Sequence, residues 1–230
     1  MIKKLRYLKY YAKVLLTNWT VNKDSYAQHG EDKLVEQLLP NGVHSFIDIG
    51  ANDGVLFSNT YKFAKNGAQG LCVEPSKMTY WKLRLNHLFH RNITSIHAAM
   101  SNTDGKIFLR ELGYESTLSS VSTKKTKNSY SVDCITFDNI LERKPDFIEV
   151  DLLTIDTEGH EKEILQGLTK SNFKAKVIII ESDKDLSDTL LKFNHLRNYN
   201  VAYSNGVNTI LTHKDETYNV EMIPVGFSKL

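Results

Sequence analysis

Hydrophobic and polar positions follow two alternating patterns along most of this chain. From about residue 31 onward, amphipathic stretches of helical period are separated by short apolar runs that are typical of buried strands. The apolar runs, in chain order, are HSFIDIG, GLCVEP, ITSIHAAM, DLLTID and KVIIIES. The helical stretches are EDKLVEQLL, SNTYKFAKNG, KMTYWKLRLNHLF, EKEILQGL and residues 185–198. Strands that alternate with helices of this length predict a doubly wound, mostly parallel sheet with helices on both faces.

Two later segments do not follow this alternation. Residues 106–137 have the pattern of irregular strands around a loop, at 116–131, that is rich in Ser, Thr and Lys. NVAYSNGVNTILTH predicts two strands joined at Asn205-Gly206, a dipeptide typical of a hairpin turn. The predicted fold is therefore an α/β sheet with an antiparallel hairpin at one edge. Ligands of such sheets bind beyond the carboxyl ends of the strands, so the residues after each strand are the candidates for a site.

The loop after the first strand combines glycines with acids. Asp48, Gly50, Asp53 and Gly54 all lie within FIDIGANDG. A dinucleotide-binding fingerprint needs G-x-G-x-x-G to seat a pyrophosphate, and the middle glycine is missing here. The two acids would repel a pyrophosphate, whereas they suit a ligand that carries a positively charged group. A purely structural turn is the alternative, because glycines often only mark turns.

An acid also follows the second strand. Glu74, which precedes Pro75, is placed to accept both hydroxyls of a ribose, as in nucleotide-binding α/β folds. Together with the first loop it predicts an adenosine ligand with a cationic tail that contains no phosphate, and this ligand is S-adenosylmethionine. Further acids follow the fourth and fifth strands, at Asp156, Glu158, Glu181 and Asp183.

The whole set of motifs resembles the FkbM family of S-adenosylmethionine-dependent methyltransferases. The resemblance extends from about Ser25 to Ser182 and includes SYAQHGED, FIDIGANDG, CVEP, AAMSNTDGK, VDCITFDNIL and LLTIDTEGHEKEILQGL. It implies the class I methyltransferase sheet, a Rossmann-like fold with seven strands in the order 3-2-1-4-5-7-6 and strand seven antiparallel. It also implies O-methylation, often of a sugar hydroxyl in a glycan or natural product.

The family pattern implies a cofactor site when it is carried over residue by residue. It implies contacts to the methionine part, the ribose and the adenine, and a segment that closes over the cofactor from the N-terminal side. The residues implied for the methionine part are Asp48, Gly50, Asn52 and Gly54. Those implied for the ribose are Glu74 and Pro75, and those for the adenine are Ala99 and Ser101. The segment that closes over the cofactor contains Gln28 and Glu31. Asp53 departs from the pattern, since many relatives have a small or uncharged residue there, and this leaves its role open.

Two mechanisms are compatible with the residues after the fourth and fifth strands. In the first, His160 or Asp156 accepts the proton of the acceptor hydroxyl directly. In the second, Asp156 with Glu181 or Asp183 holds a divalent cation such as Mg²⁺, which lowers the pKa of the hydroxyl. Acids at strand ends are common and do not by themselves form a metal motif. The direct base is therefore the preferred hypothesis.

The acceptor is expected to bind under the segment LGYESTLSSVSTKK. Tyr114, Ser116 and Thr117 offer hydrogen bonds to sugar hydroxyls. The lysines that follow suit a phosphate of a nucleotide-activated sugar or a lipid-linked glycan. A solvated loop without any ligand is the commoner outcome for such a run of charges.

The first 24 residues differ in charge from the methyltransferase domain predicted at 25–230. Six cations precede the first acid, Asp24. A basic helix with Leu, Tyr and Trp on its other side can rest on an anionic membrane surface, although a helix packed on the domain or a frayed end is the commoner case. Cys72 and Cys134 have no metal or redox spacing and are interpreted as buried free thiols. The expected location is therefore cytoplasmic, at the inner face of the membrane if the helix binds there.

Other classes of function are less compatible with the sequence. A nicotinamide-dependent oxidoreductase would need the missing glycine, and a nucleic-acid methyltransferase should have a basic face, for which a net charge of +2 is too mild. A methyltransferase for another small molecule would share the cofactor half. A cofactor-binding scaffold without turnover is the remaining alternative, because fold alone does not give function. We therefore expect a sugar or glycan acceptor and no nucleic-acid partner, with the oligomeric state left open.

Overall fold

The computed structural model describes residues 12–111, 119–122, 129–170 and 172–230. The helices are α1 (residues 12–20), α2 (Glu31–Leu38), α3 (Tyr61–Lys65), α4 (Lys77–Asn86), α5 (Phe137–Arg143), α6 (Glu161–Gln166) and α7 (Lys184–Ser187). Short 3₁₀ helices cover Pro145–Phe147, Leu190–Lys192 and Asn194–Leu196. The strands are β1 (Ser45–Ile49), β2 (Gln69–Val73), β3 (Ile93–Ile96), β4 (Ala99–Met100), β5 (Gly105–Glu111), β6 (Ser119–Ser122), β7 (Ser129–Ile135), β8 (Glu149–Ile155), β9 (Lys174–Glu181), β10 (Tyr199–Ser204), β11 (Asn208–His213) and β12 (Ser228–Lys229).

The main sheet has the strand order β3-β2-β1-β8-β9-β11-β10-β12. Neighbouring strands from β3 to β9 are parallel, whereas β11 is antiparallel to both β9 and β10. When β8 to β11 are counted as strands four to seven, the order is 3-2-1-4-5-7-6 with strand seven antiparallel. The predicted fold and its edge hairpin are therefore confirmed. The two-residue β12, which pairs with β10 at the outer edge, is an eighth strand that was not predicted.

The segment predicted as irregular strands belongs to a second sheet, with the order β4-β7-β5-β6. The run ITSIHAAM, predicted as one strand, is divided between the two sheets, since β3 pairs with β2 and β4 pairs with β7. The division lies at His97, whose ring stacks on Tyr80 with the ring centroids 4.9 Å apart. The prediction of one strand was wrong because an apolar run does not show which sheet its residues join.

The prediction of a single helix over residues 185–198 was also wrong. Only the short α7 and two 3₁₀ helices form there. The Thr189 Oγ1 donates hydrogen bonds to the carbonyl oxygens of Asp185 and Leu186, each at 3.0 Å. Side-chain bonds of this kind compete with the backbone bonds of a continuous helix.

Apolar side chains cover both faces of the main sheet. On β1, Phe46 packs into the core on one face, and Ile47 and Ile49 pack into the core on the other, as alternate side chains of a strand do. Burial on both faces explains why these strands are continuous apolar runs in the sequence. Asp48 interrupts the run on β1 although it is only 5% exposed. Core packing does not explain a buried carboxylate at this position. Asp48 is therefore a candidate for the site at the carboxyl end of β1.

The helix α1 packs against the end of α4. The Trp19 Nε1 donates to the carbonyl oxygen of Asn86 at 2.9 Å, and the Trp19 ring meets Phe89 edge-on with centroids 4.5 Å apart. The Tyr61 hydroxyl, in α3, donates to the carbonyl oxygen of Asn18 at 2.9 Å. The described part of the basic N-terminal segment is thus a helix held on the domain. None of the helices in the described ranges has both the length and the apolar character needed to cross a bilayer.

Candidate active site

A cavity of about 320 Å³ lies at the carboxyl ends of the central parallel strands. Its walls come largely from the loops after β1, β2 and β8, with residues 98–100 and Glu181 at the end of β9, and strand ends of this kind are where α/β sheets bind ligands. The residues predicted from sequence that line it are Gln28, Asp48, Gly50, Asn52, Glu74, Pro75, Ala99, Asp156, His160 and Glu181. The parallel strands therefore bring residues that are far apart in the sequence to one edge of the sheet.

The turn after β1 depends on the absence of a side chain at Gly50. Gly50 has a φ of +83°, and a Cβ on it would lie 1.8 Å from the carbonyl oxygen of Asp156. Only glycine therefore lets this turn pass so close to the end of β8. The N–H groups of Gly50 and Ala51 donate to the carbonyl oxygen of Val73 at 3.0 and 3.1 Å. The turn is thus fixed between the strands that carry Glu74 and Asp156.

Gly54 has a packing role outside the cavity wall. Its φ is +76°, and a Cβ there would lie 2.5 Å from Leu83 Cδ1 and 2.7 Å from His87 Nε2. The residue therefore allows the loop after β1 to approach α4 closely. The geometry therefore does not favour direct contact between Gly54 and a ligand in the cavity.

Glu74 is a buried carboxylate at the end of β2. Its Oε2 accepts the N–H of Asn52 at 3.0 Å, and its Oε1 accepts the N–H of Ser76 at 2.7 Å. These bonds connect the loop after β1 to the loop after β2 and fix the orientation of the carboxylate. Glu74 therefore occupies the position at which nucleotide-binding α/β folds bind the ribose hydroxyls.

Asp48 is a buried acid at the end of β1. The Thr60 Oγ1 donates to its Oδ2 at 2.5 Å. Burial raises the pKa of Asp48 to about 6, although the hydrogen bond from Thr60 opposes this rise. A cation in the cavity would favour the ionised form, because an opposite charge nearby lowers the pKa of an acid.

Asp156 and Glu181 form a pair of acids at the ends of β8 and β9. Burial raises the pKa of Asp156 to about 6, and repulsion from Glu158 and Asp48 adds to the rise, against a hydrogen bond with Glu181. Burial and repulsion from Asp156 raise the pKa of Glu181. The pair therefore holds a proton more readily than two separate carboxylates would, because two like charges at close range disfavour full ionisation.

The charge of the cavity is strongly one-sided. Its acidic lining residues are Asp48, Glu74, Asp156, Glu158 and Glu181. No Lys or Arg from the part of the chain that the structure describes lines it. A ligand with a positive charge near these acids would be stabilised, whereas a pyrophosphate would be repelled.

His160 is held between two other side chains at the start of α6. Its Nε2 lies 2.9 Å from Ser101 Oγ, and its Nδ1 lies 3.7 Å from a carboxylate oxygen of Glu163. His160 lines the cavity, whereas Ser101 does not line it and contacts the imidazole. Ser101 thus orients His160, and its predicted contact with the adenine is not visible in the geometry.

Glu31 also lies outside the cavity wall. Its Oε1 accepts the side-chain amides of Asn205 at 2.8 Å and Asn208 at 2.7 Å, and its Oε2 accepts the N–H of His29 at 2.9 Å. The acid therefore ties the loop before α2 to the β10–β11 hairpin. Gln28, on the same loop, lines the cavity. Glu31 acts on the site through the position of this loop.

The predicted metal-ligand set is not assembled. Asp183 caps α7, where its Oδ1 accepts the N–H of Leu186 at 2.8 Å, and it does not line the cavity with Asp156 and Glu181. Across the described ranges, no group of three or more His, Cys, Asp or Glu side chains is placed to hold a metal ion. The inclusion of Asp183 as a ligand is thus not supported by the geometry.

Several lining or supporting residues were not predicted from the sequence, and one of the predictions falls outside the described residues. Thr60, which holds Asp48, begins α3 and carries no motif signal. The Thr154 Oγ1 accepts a hydrogen bond from the Asn59 side-chain amide at 3.3 Å. Thr154 is buried, and a polar residue within the apolar run DLLTID could have indicated from the sequence that it supports the site. The predicted acceptor-binding residues lie outside the described residues: Tyr114, Ser116 and Thr117.

In a comparison with protein families, residues 48–205 match the methyltransferase FkbM domain. The chain belongs to the methyltransferase FkbM family. The matched range contains Asp48, Glu74, Asp156 and Glu181, and it confirms the resemblance derived from the motifs. Gln28 precedes it. A search of curated proteins found no match.

Two solved structures share the fold of this family member. Methyltransferase FkbM from Methylobacillus flagellatus KT has a TM-score of 0.50 at 15% identity, over 74% of this chain and 43% of that one. A Staphylococcus aureus protein provisionally assigned as a caffeoyl-CoA O-methyltransferase has a TM-score of 0.50 at 12% identity, over 90% of this chain and 91% of that one. The chain thus matches less than half the length of the FkbM structure. Both likenesses show the class I methyltransferase fold.

The class I methyltransferase fold implies S-adenosylmethionine as cofactor, and the residues present fit it. The acids of the cavity suit a sulfonium and an ammonium group, and Glu74 lies where a ribose is bound in related folds. The turn at Gly50 allows a close approach of the backbone. Mg²⁺ fits less well, since Asp156 and Glu181 are not joined by a third ligand from the described residues.

Proposed function

We propose that this protein is an S-adenosylmethionine-dependent O-methyltransferase whose acceptor is a sugar hydroxyl in a glycan, a nucleotide-activated sugar or a natural product. The observation that carries the proposal is the acid-lined cavity at the strand ends, with Glu74 fixed beside the turn at Gly50. Membership of the FkbM family supports the methyl-transfer part. The sugar acceptor rests on the resemblance of the motifs and on the absence of a strongly basic composition, which disfavours nucleic acid.

The cofactor, when bound, supplies a methyl group on a positively charged sulfur. Methyl transfer to oxygen depends mainly on alignment of the acceptor with that methyl group. In this proposal Glu74 binds the ribose hydroxyls and Asp48 lies near the positively charged tail. The acids at the ends of β8 and β9 then lie on the acceptor side of the cavity.

We assign the role of proton acceptor to Asp156. A raised pKa makes a carboxylate a stronger base, and burial raises that of Asp156 to about 6. His160 is a weaker candidate, because its Nε2 is already 2.9 Å from Ser101 Oγ and its Nδ1 faces Glu163. As the methyl group is transferred, the hydroxyl proton passes to the Asp156 carboxylate, and Glu181 beside it shares the added proton.

The test is transfer of a labelled methyl group from S-adenosylmethionine to a panel of nucleotide sugars, lipid-linked glycans and free oligosaccharides. With the acceptor that reacts, Asp156→Asn should lower kcat by about 10²- to 10⁴-fold, the usual range for loss of a general base. The matched variant His160→Gln, which keeps a hydrogen-bonding group towards Ser101, should lower kcat by less than about tenfold.

The pH profile gives a second readout of the same assignment. Because Asp156 must be ionised to accept a proton, kcat of the wild type should rise as the pH passes through about 6. A larger loss in His160→Gln than in Asp156→Asn would reverse the assignment. Methylation of an RNA or of a non-sugar metabolite, with no reaction on any sugar, would overturn the acceptor class.

A further inference from the structure

We propose that the outward face of α4, together with α1, is a docking surface for an anionic membrane. The observation concerns two segments of the chain that contain no Asp or Glu. Residues 1–23 carry six cations and no acid, and residues 75–103 carry Lys77, Lys82, Arg84 and Arg91 and no acid. These segments are distant in the sequence, and the fold places the described part of the first, residues 12–23, beside the second.

The contact between the two acid-free segments is specific. The Trp19 Nε1 donates to the carbonyl oxygen of Asn86, and the Asn18 amide donates to Asn86 Oδ1 at 3.2 Å. The Trp19 ring packs edge-on against Phe89. The C-terminal end of α1 is therefore attached to the C-terminal end of α4, so the described part of the first segment, residues 12–23, adjoins the second segment.

The outward face of α4 is apolar where a surface helix is normally polar. Met78, Trp81 and Leu85 on the helix, and Leu88 and Phe89 directly after it, have between 42% and 66% of their surface exposed. Met78, Trp81 and Leu85 recur at spacings of three and four residues, which places them in one row along the helix. We call these three residues, Met78, Trp81 and Leu85, the α4 stripe. A row of this kind on the solvent side indicates a surface that is covered in another state.

Cations flank the stripe on both sides. Helical spacing places Lys77 and Arg84 on one side of the Met78–Trp81–Leu85 row and Lys82 on the other. The Arg84 guanidinium lies 5.4 Å from the centroid of the Trp81 ring. Among the described residues, no salt bridge involves Lys77, Lys82 or Arg84.

An anionic lipid surface matches this chemistry better than other partners do. Aliphatic side chains and a Trp can enter the boundary between headgroups and acyl chains, while Lys and Arg remain with the anionic headgroups. A nucleic acid would be bound by stacking aromatic rings, but most of the stripe is aliphatic. The same helix also carries Thr79, which lines the cavity. A bilayer docked on the outward face would therefore be separated from the cavity by α4 itself.

The test uses flotation of the full-length protein with vesicles of phosphatidylcholine alone and of phosphatidylcholine mixed with phosphatidylglycerol. The stripe variant is Met78→Ser/Trp81→Ser/Leu85→Ser. The matched control is Leu191→Ser/Met222→Ser/Val225→Ser, which changes exposed apolar residues elsewhere. We expect binding of the wild type and the control to the anionic vesicles, weakened by salt, and at least tenfold weaker binding of the stripe variant. Thermal unfolding checks that each variant is folded.

Fluorescence locates the contact without altering the stripe. The chain has two Trp residues, so Trp19→Phe leaves Trp81 as the single reporter. Its emission should shift to shorter wavelength when anionic vesicles are added, and should not shift with neutral vesicles. Equal binding of wild type and stripe variant, or no flotation of the wild type, would overturn the proposal. Binding of a single-stranded RNA but not of vesicles would overturn it in favour of nucleic acid, and loss of a dimer in the stripe variant without vesicle binding would overturn it in favour of self-association.

Discussion

One aspartate, Asp151, lies near the amino end of β8, and another, Asp156, directly follows its carboxyl end, and the pKa values of the two acids are shifted in opposite directions. At the amino end, Asp151 Oδ1 lies 2.8 Å from Lys176 Nζ, and Oδ2 accepts the N–H groups of His44 at 2.6 Å and Ser45 at 3.1 Å. Burial alone would raise the pKa of Asp151, but the bonds from Lys176 and the backbone outweigh it and lower the pKa. At the carboxyl end, burial raises the pKa of Asp156 to about 6.

We expect this difference to separate residues that stabilise the fold from residues that bind a ligand. The charge at the amino end is neutralised within the protein, by Lys176. At the carboxyl end, none of the Lys or Arg residues that the structure describes lines the cavity that holds Asp48, Asp156 and Glu181. Raised pKa values in a cleft are typical of functional sites, because catalytic acids and bases need pKa values that match their task. The comparison predicts different consequences for matched changes at the two ends.

The largest expected effect concerns the glycines that flank β1. Gly42 and Gly50 both have a positive φ, but a Cβ on Gly42 meets nothing within 4 Å, whereas one on Gly50 would overlap the carbonyl oxygen of Asp156. Gly50→Ala should lower the free energy of unfolding by about 3 kcal/mol or more, since strain and overlap add. Gly42→Ala should lower it by about 1 kcal/mol, the conformational part alone. Urea unfolding of both variants measures the difference, and equal losses would contradict the close approach at Gly50.

The next effect concerns Asp151. Asp151→Asn removes the charge that binds Lys176 and weakens the bonds to the N–H groups of His44 and Ser45, so the free energy of unfolding should fall by about 2 kcal/mol at pH 7. The matched variant Asp156→Asn, at the other end of β8, removes an acid that is repelled by its neighbours, and it should not destabilise the protein. Thermal and urea unfolding compare the two. A greater loss in Asp156→Asn would mean that the carboxyl-end acids serve stability.

The smallest effect is a pH dependence due to Glu181. Its pKa rises from 4.5 to about 7 on folding, so its contribution to stability is fully present below pH 4.5 and is lost as the pH rises through about 7. Glu181→Gln removes this loss, and the stability of the variant relative to wild type should therefore increase between pH 5 and pH 8. We expect a change of about 1 kcal/mol, because partial exposure reduces the full value of the shift. A difference that stays constant with pH would show that the pKa of Glu181 is not raised.

Local patterns in the sequence predicted what depends on the ends of individual strands. The apolar runs predicted the parallel strands, and the acids at or directly after their carboxyl ends identified Asp48, Glu74 and Asp156 as cavity residues, whereas the strand order was implied by the family resemblance. These predictions hold because the end of each strand is set by a change of residue type along the chain, and parallel strands end at the same edge of the sheet.

The parts that could not be predicted depend on contacts between distant segments. Glu31 binds Asn205 and Asn208, which follow it by more than 170 residues and carry no signal of the contact. Asp183 follows β9 as predicted, but a bond to the N–H of Leu186 turns it into a helix cap. The place where ITSIHAAM changes sheets is likewise determined by its partners β2 and β7 and not by its own residues.

Calorimetric titration of the full-length protein with S-adenosylmethionine and, separately, with NAD tests the central claim most directly. We expect binding of S-adenosylmethionine with a Kd on the order of micromolar and no binding of NAD. Asp48→Ala, at the carboxyl end, should weaken binding at least about tenfold, which corresponds to 1.4 kcal/mol, while Asp151→Asn should leave the affinity unchanged in the folded protein. Binding of NAD in preference to S-adenosylmethionine, or equal weakening by the two variants, would contradict the assignment of the acid-lined cavity to a cationic cofactor.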